Sequence, residues 1–273
     1  MRFLQTASQS MSKITFHHYY MNGRTATVDD FTNPKTLGGL AKQIQQMVDV
    51  QQQWAPGTSV WIGETASAYG GGAKGISNSY VDGITWLDKL GMSSKMGVEM
   101  VIRQTFLESN YALIDTNFDP LPDYWLTLLY KRLVGNKVLN ATASKCRKGQ
   151  CFAFGKGSVR IYAHCAKEKF KRGSVVLYFI NLWPRRLHLS FHLPENSIGY
   201  MYLLKPGESG NLTSTSVRLN GKVLRLTSSN SIPPLPPKRI EQSKLRRALS
   251  VPSLTFGFLV LEGVNARACM DGK

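Results

Sequence analysis

The hydrophobic positions in the first half of the chain form short apolar runs separated by helix-like repeats. Residues 13–20 and 98–106 are rich in side chains that favour strands. Residues 59–62 form a short apolar run typical of a buried strand, which we expect to end just before Gly63 and Glu64. Three strands are therefore predicted in this part of the chain.

Between these runs the apolar residues recur every three or four positions, which is the period of an amphipathic helix. The first helix is expected to start at Asn33 and Pro34, which suit an N-cap and the first helical position. A second helix is predicted over residues 78–90, followed by a turn at Gly91, and Pro122 opens a third. This alternation of strands and helices predicts a parallel sheet whose functional loops follow the strand C-termini.

Glu64 lies between a predicted buried strand and a glycine-rich loop, which is where an α/β barrel places its catalytic groups. A lone glutamate there is equally compatible with capping a helix or pairing with an arginine. Other polar residues expected near the strand ends are His17, Tyr19, Tyr69, Asn110 and Tyr111. Three such units do not close a barrel, which needs eight.

From about residue 135 the pattern changes to the period of two that is typical of strands. Four segments have this character: residues 159–165, 175–182, 187–193 and 254–261. Asn220-Gly221, between two short apolar runs, predicts a hairpin with a two-residue turn. Short strands at these spacings predict a β-sandwich.

The composition is that of a globular protein with a large basic excess. The 273 residues include 34 Lys and Arg against 17 Asp and Glu, a net charge of +17. This charge suggests a polyanionic partner, such as a nucleic acid, a sulfated glycan or an acidic membrane surface. No zinc-finger, nucleotide-loop or RNA-binding signature accompanies it, so no nucleic acid is expected. No apolar run is long enough for a transmembrane segment, and residues 1–13 lack the apolar region of a signal peptide.

The cysteines and two glycosylation sequons favour a secreted or lysosomal parent protein. The four cysteines are Cys146, Cys151, Cys165 and Cys269, and none of their spacings suits zinc. We therefore expect no metal site, and no cofactor. Cys146 and Cys151 are compatible with a small-loop disulfide or with two free thiols. The sequons begin at Asn140 and Asn211.

Four blocks of sequence resemble the heparanase family, within a similarity that runs from about residue 14 to Cys269. The blocks are FHHYYMNGRTA at 16–26, WIGETASAYGGG at 61–72, WLDKLG at 86–91 and NFDPLPDYW at 117–125. Heparanases are retaining endo-β-glucuronidases that cut heparan sulfate with a (β/α)8 barrel followed by a β-sandwich. The resemblance covers the C-terminal half of such a protein. It implies that residues 1–135 hold the last three βα units of the barrel and residues 136–273 the antiparallel sandwich.

The resemblance also implies roles for individual residues. Glu64 matches the family's nucleophile, and Tyr19 matches the tyrosine that holds the nucleophile's orientation. Substrate-binding positions of the family match His17, Arg24, Tyr69, Gly70, Gly71, Asn110 and Tyr111. Cys165 and Cys269 match a disulfide within the sandwich. Without the family, histidines and tyrosines in a strand favour packing rather than catalysis.

The Asn-Glu-Pro motif that carries the family's acid/base glutamate does not occur in this sequence. General acid catalysis is typically worth about 10²–10⁴-fold in rate. We therefore expect a truncated heparanase-type hydrolase that is inactive by itself and would need a complementary N-terminal heparanase-type chain. Its expected partner is heparan sulfate or heparin, and its expected location is the extracellular matrix, the lysosome or a membrane surface.

The alternative is a non-catalytic heparan sulfate-binding protein similar to the inactive heparanase paralogue. In that paralogue the nucleophile is replaced, whereas Glu64 is present here. The glutamate therefore argues for the hydrolase.

Overall fold

Two sheets of different kinds divide the chain near residue 134. The computed structural model describes residues 2–142, 144–147, 150–153 and 157–270. Within them, a three-stranded parallel sheet comes first and an eight-stranded antiparallel sheet follows. This arrangement confirms a mixed α/β and antiparallel β architecture.

The helices and strands alternate in the first part of the chain, and strands dominate the second. The helices are α1 (Arg2–Ala7), α2 (Val28–Thr32), α3 (Pro34–Trp54), α4 (Asp82–Lys95), α5 (Pro122–Leu133) and α6 (Gln242–Arg247). The first strands are β1 (Lys13–His18), β2 (Met21–Asn22), β3 (Ser59–Thr65), β4 (Ala68–Tyr69), β5 (Met100–Arg103), β6 (Val134–Leu139), β7 (Ser144–Arg147) and β8 (Gln150–Ala153). The later ones are β9 (Val159–Ala166), β10 (Val175–Asn181), β11 (Leu187–Leu189), β12 (Ile198–Pro206), β13 (Val217–Leu219), β14 (Lys222–Val223), β15 (Lys238–Ile240), β16 (Leu249–Val251) and β17 (Thr255–Glu262).

The parallel sheet has the order β1-β3-β5, and α3 and α4 lie between its successive strands. Helix α3 begins as predicted: the Asn33 side chain accepts a hydrogen bond from the Lys35 amide, and Pro34 is the first helical residue. Its apolar face buries Leu40 and Ile44 against strand residues of β1 and β3. Burial of such aliphatic side chains stabilises the fold by roughly 1.5–3 kcal/mol each.

Several predicted bounds in this half were wrong. Strand β3 continues to Thr65 instead of ending at Ile62, so Glu64 is its second-last residue rather than a residue beyond its end. The predicted strand 98–106 shortens to β5, and Glu99 lies just before it. Helix α4 begins four residues later than predicted and runs through Gly91. A Cβ at Gly91 would collide with the ring of Tyr162, so this glycine permits close packing within a helix rather than a turn.

The antiparallel sheet has the order β14-β13-β12-β17-β10-β9-β6, with β15 also paired to β12. The predicted hairpin is confirmed: Asn220 and Gly221 join β13 to β14 with φ values of 51° and 98°. The predicted strand over residues 187–193 shortens to β11, which forms a two-stranded sheet with β16. Strand β12 escaped prediction because it is buried on both faces, with Met201 in one core cluster and Tyr202 in another.

A single hydrophobic cluster joins helix α4 of the first half to the antiparallel sheet. Ile84 and Leu87 of α4 belong to the same cluster as Tyr178 and Phe258 of the antiparallel sheet. The opposite face of that sheet is covered by the β11-β16 ribbon and by α6. Cys165 and Cys269 form a disulfide at the edge of this region. Among the helices of the described residues, none is both long and apolar enough to cross a bilayer.

Candidate active site

The C-terminal ends of β1 and β3 bring a carboxylate and a phenol together. Parallel pairing places His17 opposite Glu64. One residue beyond β1, the Tyr19 hydroxyl donates a hydrogen bond to Glu64 Oε1 at 2.7 Å. His17 Nδ1 lies 3.7 Å from Glu64 Oε2. The Glu64 side chain is 38% exposed, so the carboxylate is held by protein groups yet open to a ligand.

Gln104, directly after β5, completes this cluster. With its amide nitrogen facing the site, Gln104 lies 2.9 Å from the Tyr19 hydroxyl and 2.6 Å from Glu64 Oε1. The Tyr19 hydroxyl can then donate to Glu64 and accept from Gln104. Burial, followed by the hydrogen bond to Glu64, raises the pKa of the Tyr19 phenol well above its ordinary value. Tyr19 therefore keeps its proton and acts as a donor towards the carboxylate.

The glycine-rich loop and the loop after β5 form one side of the site. Gly70 and Gly71 have φ values of 80° and 88°, a region that glycine adopts without strain. The Gly71 carbonyl accepts hydrogen bonds from Asn110 Nδ2 at 3.1 Å and from the Ser109 hydroxyl at 3.2 Å. These bonds tie together the two loops that hold most of the predicted substrate-binding positions.

The remaining predicted positions differ in accessibility. Tyr69 is half exposed. It pairs with Asn22 where β2 and β4 run side by side, and Arg24 follows Asn22 by two residues. Arg24 is exposed, and its backbone amide donates to the Asn22 side chain. Tyr111, in contrast, is only 5% exposed, with its ring centroid 6.4 Å from that of Tyr19. The structure thus places Arg24 and Tyr69 on the surface and Tyr111 in the floor beside Tyr19.

A buried lysine beneath the site was missed by sequence reasoning. Lys89 of α4 is 1% exposed and donates to the carbonyls of Ala66 at 2.6 Å and His18 at 3.2 Å. It also donates to the Thr65 hydroxyl. These acceptors flank Glu64 and Tyr19 in the sequence, so Lys89 braces the ends of both strands. The available signal was that Trp86, Leu87 and Leu90, which lie within one helical turn of Lys89, are all apolar.

A second buried network holds the loop after β5. Arg103 Nη1 lies 2.7 Å from Asp123 Oδ2, and Nη2 lies 3.1 Å from Asp82 Oδ2. The same guanidinium donates to the Tyr111 carbonyl at 2.8 Å. All three charged side chains are less than a tenth exposed, so Asp123 serves the fold through Arg103.

Other predicted positions lie away from this cluster. Asn140 is exposed, and Asn211 is half-buried with its Oδ1 accepting from Thr213. The side chains of Cys146 and Cys151 lie outside the described residues. Within the described part of the chain, no group of three or more His, Cys, Asp or Glu side chains could hold a metal ion.

Comparison with known proteins places the chain among relatives of glycoside hydrolases. A family model described as glycosyl hydrolase family 79, N-terminal domain, matches residues 1–91. Heparanase from Bos taurus is 40% identical over 274 residues, which cover 98% of this chain and 48% of that protein. Inactive heparanase-2 from Homo sapiens is 37% identical and covers 98% of this chain and 46% of its own length.

The fold comparison agrees with these matches. The solved structure of a 4-O-alpha-L-rhamnosyl-beta-D-glucuronidase from Fusarium oxysporum 12S superposes with a TM-score of 0.61. It is 17% identical and covers 93% of this chain and 54% of that chain, so the likeness concerns the fold alone. The chain spans about half the length of the curated relatives that it matches.

Proposed function

We propose that this chain, a homologue of heparanases over nearly its whole length, supplies the nucleophile of a retaining endo-β-glucuronidase that hydrolyses heparan sulfate. The observation that carries the proposal is the 2.7 Å hydrogen bond from Tyr19 to Glu64 at the ends of two parallel strands. A carboxylate that attacks a sugar must keep a fixed orientation, and a protonated phenol beside it provides that orientation.

In the proposed reaction, Glu64 attacks the anomeric carbon of a glucuronide and forms a glycosyl-enzyme ester. The bond to the leaving oxygen breaks, and that oxygen takes a proton from a second carboxylic acid about 5 Å away. Water then hydrolyses the ester and restores the original anomeric configuration. The sequence has no Asn-Glu-Pro motif to supply this acid. A complementary N-terminal heparanase-type chain would supply it, and these 273 residues alone would not cleave heparan sulfate.

The residues around Glu64 are proposed to bind the sulfated substrate. Arg24 offers a guanidinium that suits a sulfate or carboxylate, and His17 lies beside the nucleophile. Gly70 and Gly71 allow backbone amides to approach an anion. Asn110 holds the glycine loop through Gly71, while Tyr69 and Tyr111 contribute the surface and the floor of the site.

The same proposal assigns the two parts of the fold and the setting of the protein. Residues 1–135 would be the last three βα units of a (β/α)8 barrel, a reading supported by the parallel order β1-β3-β5. Residues 136–273 would be the appended antiparallel sandwich. The Cys165–Cys269 disulfide supports an oxidising location, secreted or lysosomal, where Asn140 and Asn211 could carry glycans.

Covalent labelling tests the nucleophile without the missing acid. In a 2,4-dinitrophenyl 2-deoxy-2-fluoro-β-glucuronide, the leaving group departs as a stable phenolate and needs no proton. The fluorine slows hydrolysis of the ester that forms. We expect intact-mass spectrometry of the full 273-residue chain to show one added fluoroglucuronosyl group, and peptide mapping to place it on Glu64.

The matched control is Glu241→Gln, which removes an exposed carboxylate far along the chain. It should label at the wild-type rate, whereas Glu64→Gln should not label. Labelling that persists in Glu64→Gln, or a folded wild-type chain that never labels, would contradict the proposed role.

The second candidate function is heparan sulfate binding without catalysis. It is favoured by the 37% identity to inactive heparanase-2 and by the missing acid/base motif. A chain that binds heparan sulfate but leaves Glu64 unlabelled would support this alternative over the hydrolase.

A further inference from the structure

A groove with a positively charged rim lies on the outer face of the antiparallel sheet. The inner face packs on α4 through residues such as Tyr178 and Phe258, within the cluster that joins the two halves of the fold. The outer face carries a separate cluster that includes Met201, Ile240 and Leu245. The groove is therefore on the side of the sheet that faces away from α4 and the parallel strands.

The groove is a cleft of about 320 Å³ with an apolar floor and a basic rim. Met201, Leu203, Ile240 and Leu249 form the floor, and Arg186, Lys205, Lys238 and Lys244 form the rim. We call this surface the basic groove. Its lining residues include no carboxylate and no aromatic side chain.

Strand periodicity explains how the floor and the rim come together. Met201, Leu203 and Lys205 alternate along β12 and therefore share one face of the sheet. Lys238 lies directly opposite Met201 across the antiparallel pair, on the same face. Helix α6 packs its fully buried Leu245 over this face, which sets Lys244 at the margin.

A second cleft extends the basic groove. It has a volume of about 260 Å³ and shares Asn220 and Lys238 with the first. Its other lining residues are Lys222, Leu219, Leu224 and three prolines of the connector before β15, again without a carboxylate. The two clefts together form an elongated track with five cations, a shape that suits a chain rather than a single small anion.

Three lysines of the track have no side-chain partner in the part of the chain that the structure describes. Lys205, Lys238 and Lys244 make no side-chain hydrogen bond or ion pair with any described residue, whereas the neighbouring Arg239 pairs with Glu241 at 3.0 Å. Between residues 185 and 247 the sequence has eleven Lys and Arg against three Glu. Unpaired cations concentrated on one surface attract a polyanion and repel one another without it.

We propose that the basic groove binds a sulfated segment of a glycosaminoglycan chain, at a site separate from Glu64. The apolar floor suits the carbon-bound faces of pyranose rings, and the rim ammonium groups suit sulfates and carboxylates. A single-stranded nucleic acid would need aromatic side chains on which its bases could stack, and the groove has none. The choice of a glycosaminoglycan rests on the proposed function, but occupancy of the groove does not require hydrolysis.

Binding of heparin to the full 273-residue chain tests the proposal. The groove variant combines Lys205→Gln, Lys238→Gln and Lys244→Gln. The charge-matched control combines Lys35→Gln, Lys42→Gln and Lys95→Gln, three exposed lysines outside the groove. At 0.15 M NaCl we expect the groove variant to bind heparin at least tenfold more weakly and the control to stay within twofold of wild type. The groove variant should also show a shallower dependence of log Kd on log [NaCl].

The outcomes separate the possible ligands. Fully desulfated, N-acetylated heparin should bind at least tenfold more weakly than heparin, and equal affinity would overturn the role of sulfate. Equal losses in the groove and control variants would mean that net charge alone binds heparin. A single-stranded DNA oligonucleotide that binds as tightly as heparin, and is weakened by the groove variant, would replace the glycan with a nucleic acid.

The same variants distinguish this inference from the proposed function. Labelling of Glu64 by the fluoroglucuronide should proceed normally in the groove variant. If the wild-type chain bound heparin through the groove but Glu64 was not labelled, the role of Glu64 as nucleophile would be contradicted and the groove would stand. If Glu64 was labelled normally but the groove variant bound heparin as tightly as wild type, only the proposed heparin site in the groove would be overturned.

Discussion

At the scale of single residues, the site depends on one carboxylate and the groups that hold it. Glu64 receives a hydrogen bond from Tyr19 and lies against Gln104 and His17. Each of these groups belongs to a strand end or the residues just after it. The backbone thereby fixes their spacing.

Tyr19→Phe removes the donor while keeping the ring. Hydrogen bonds to charged groups contribute about 1.5–3 kcal/mol, which corresponds to roughly ten- to hundredfold in rate. We expect Tyr19→Phe to label with the fluoroglucuronide that much more slowly, as followed by intact mass over time. The control Tyr69→Phe removes a hydroxyl from a half-exposed tyrosine and should retain most of the wild-type labelling rate. An unchanged labelling rate in Tyr19→Phe would argue against its orienting role.

His18 should make stability depend on pH. Burial, followed by the charge of Lys89, lowers the pKa of this 4%-exposed imidazole from 6.5 to about 3. Between about pH 3 and pH 6.5 the unfolded chain binds a proton at His18 that the native state does not bind. The contribution of the neutral imidazole to the free energy of unfolding is therefore fully present above pH 6.5 and is lost as the pH falls towards 3. The slope approaches about 1.4 kcal/mol per pH unit for one proton.

Urea unfolding of wild type and His18→Gln between pH 4 and 7 measures this effect. The unfolding free energy of the variant should rise less steeply with pH. The difference in slope should be at most that of one proton, about 1.4 kcal/mol per pH unit. His188→Gln, at an exposed position, should keep the wild-type slope. Parallel curves for wild type and His18→Gln would show that His18 is not the group concerned.

At the scale of elements, α4 is the part on which both halves of the fold depend. It carries Lys89 beneath the strand ends and Asp82 in the Arg103 network. It also approaches the antiparallel sheet closely at two glycines, since a Cβ at Gly83 would lie 2.5 Å from Phe256 Cζ. Because this helix is buried on nearly all sides, its charged side chains are stable only where oppositely charged or hydrogen-bonding groups contact them.

Glycine replacements in α3 and α4 should have opposite effects. Gly91→Ala places a methyl group into the Tyr162 ring and should lower the unfolding free energy by about 1–3 kcal/mol. Gly39→Ala, in an exposed part of α3 with nothing within 4 Å of the new Cβ, should raise it by about 0.5–1 kcal/mol. Denaturant midpoints at constant slope measure both changes. If Gly91→Ala was more stable than wild type, the antiparallel sheet would have to move away from α4 to accommodate the methyl group.

At the scale of the whole molecule, the disulfide fastens the C-terminal segment to the antiparallel sheet. Cys165 is the second-last residue of β9, and Cys269 is 104 residues further along the chain. Closing so long a loop restricts the unfolded chain more than the folded one.

Removal of this bond should therefore cost stability. We expect Cys165→Ser with Cys269→Ser to lower the unfolding free energy by about 2–5 kcal/mol in urea without reductant. Wild type and variant should converge when both are measured with reductant, because the bond is then absent from each. A gap that persists in reductant would indicate lost packing at the cysteines rather than a lost cross-link.

The sequence predicted the elements whose signals are local. The Asn33-Pro34 start of α3 and the Asn220-Gly221 hairpin each depend on a few neighbouring residues, and the structure confirms both. The bounds of α4 and the existence of β12 were not predicted, because burial on several sides removes the contrast between apolar and polar positions. Family resemblance, rather than pattern, singled out Glu64 and Tyr19 together.

The chain by itself thus determined the helices and strands that have local signals, the basic charge and the candidate nucleophile. Only the tertiary structure decided that Tyr19 and Glu64, 45 residues apart, meet at 2.7 Å, and that Lys89 is buried beneath them. It also decided that lysines from β12, β15 and α6 share one groove. The reason is that a sequence pattern reports on neighbours along the chain, whereas burial and side-chain distances depend on strand register and on helices packed from elsewhere.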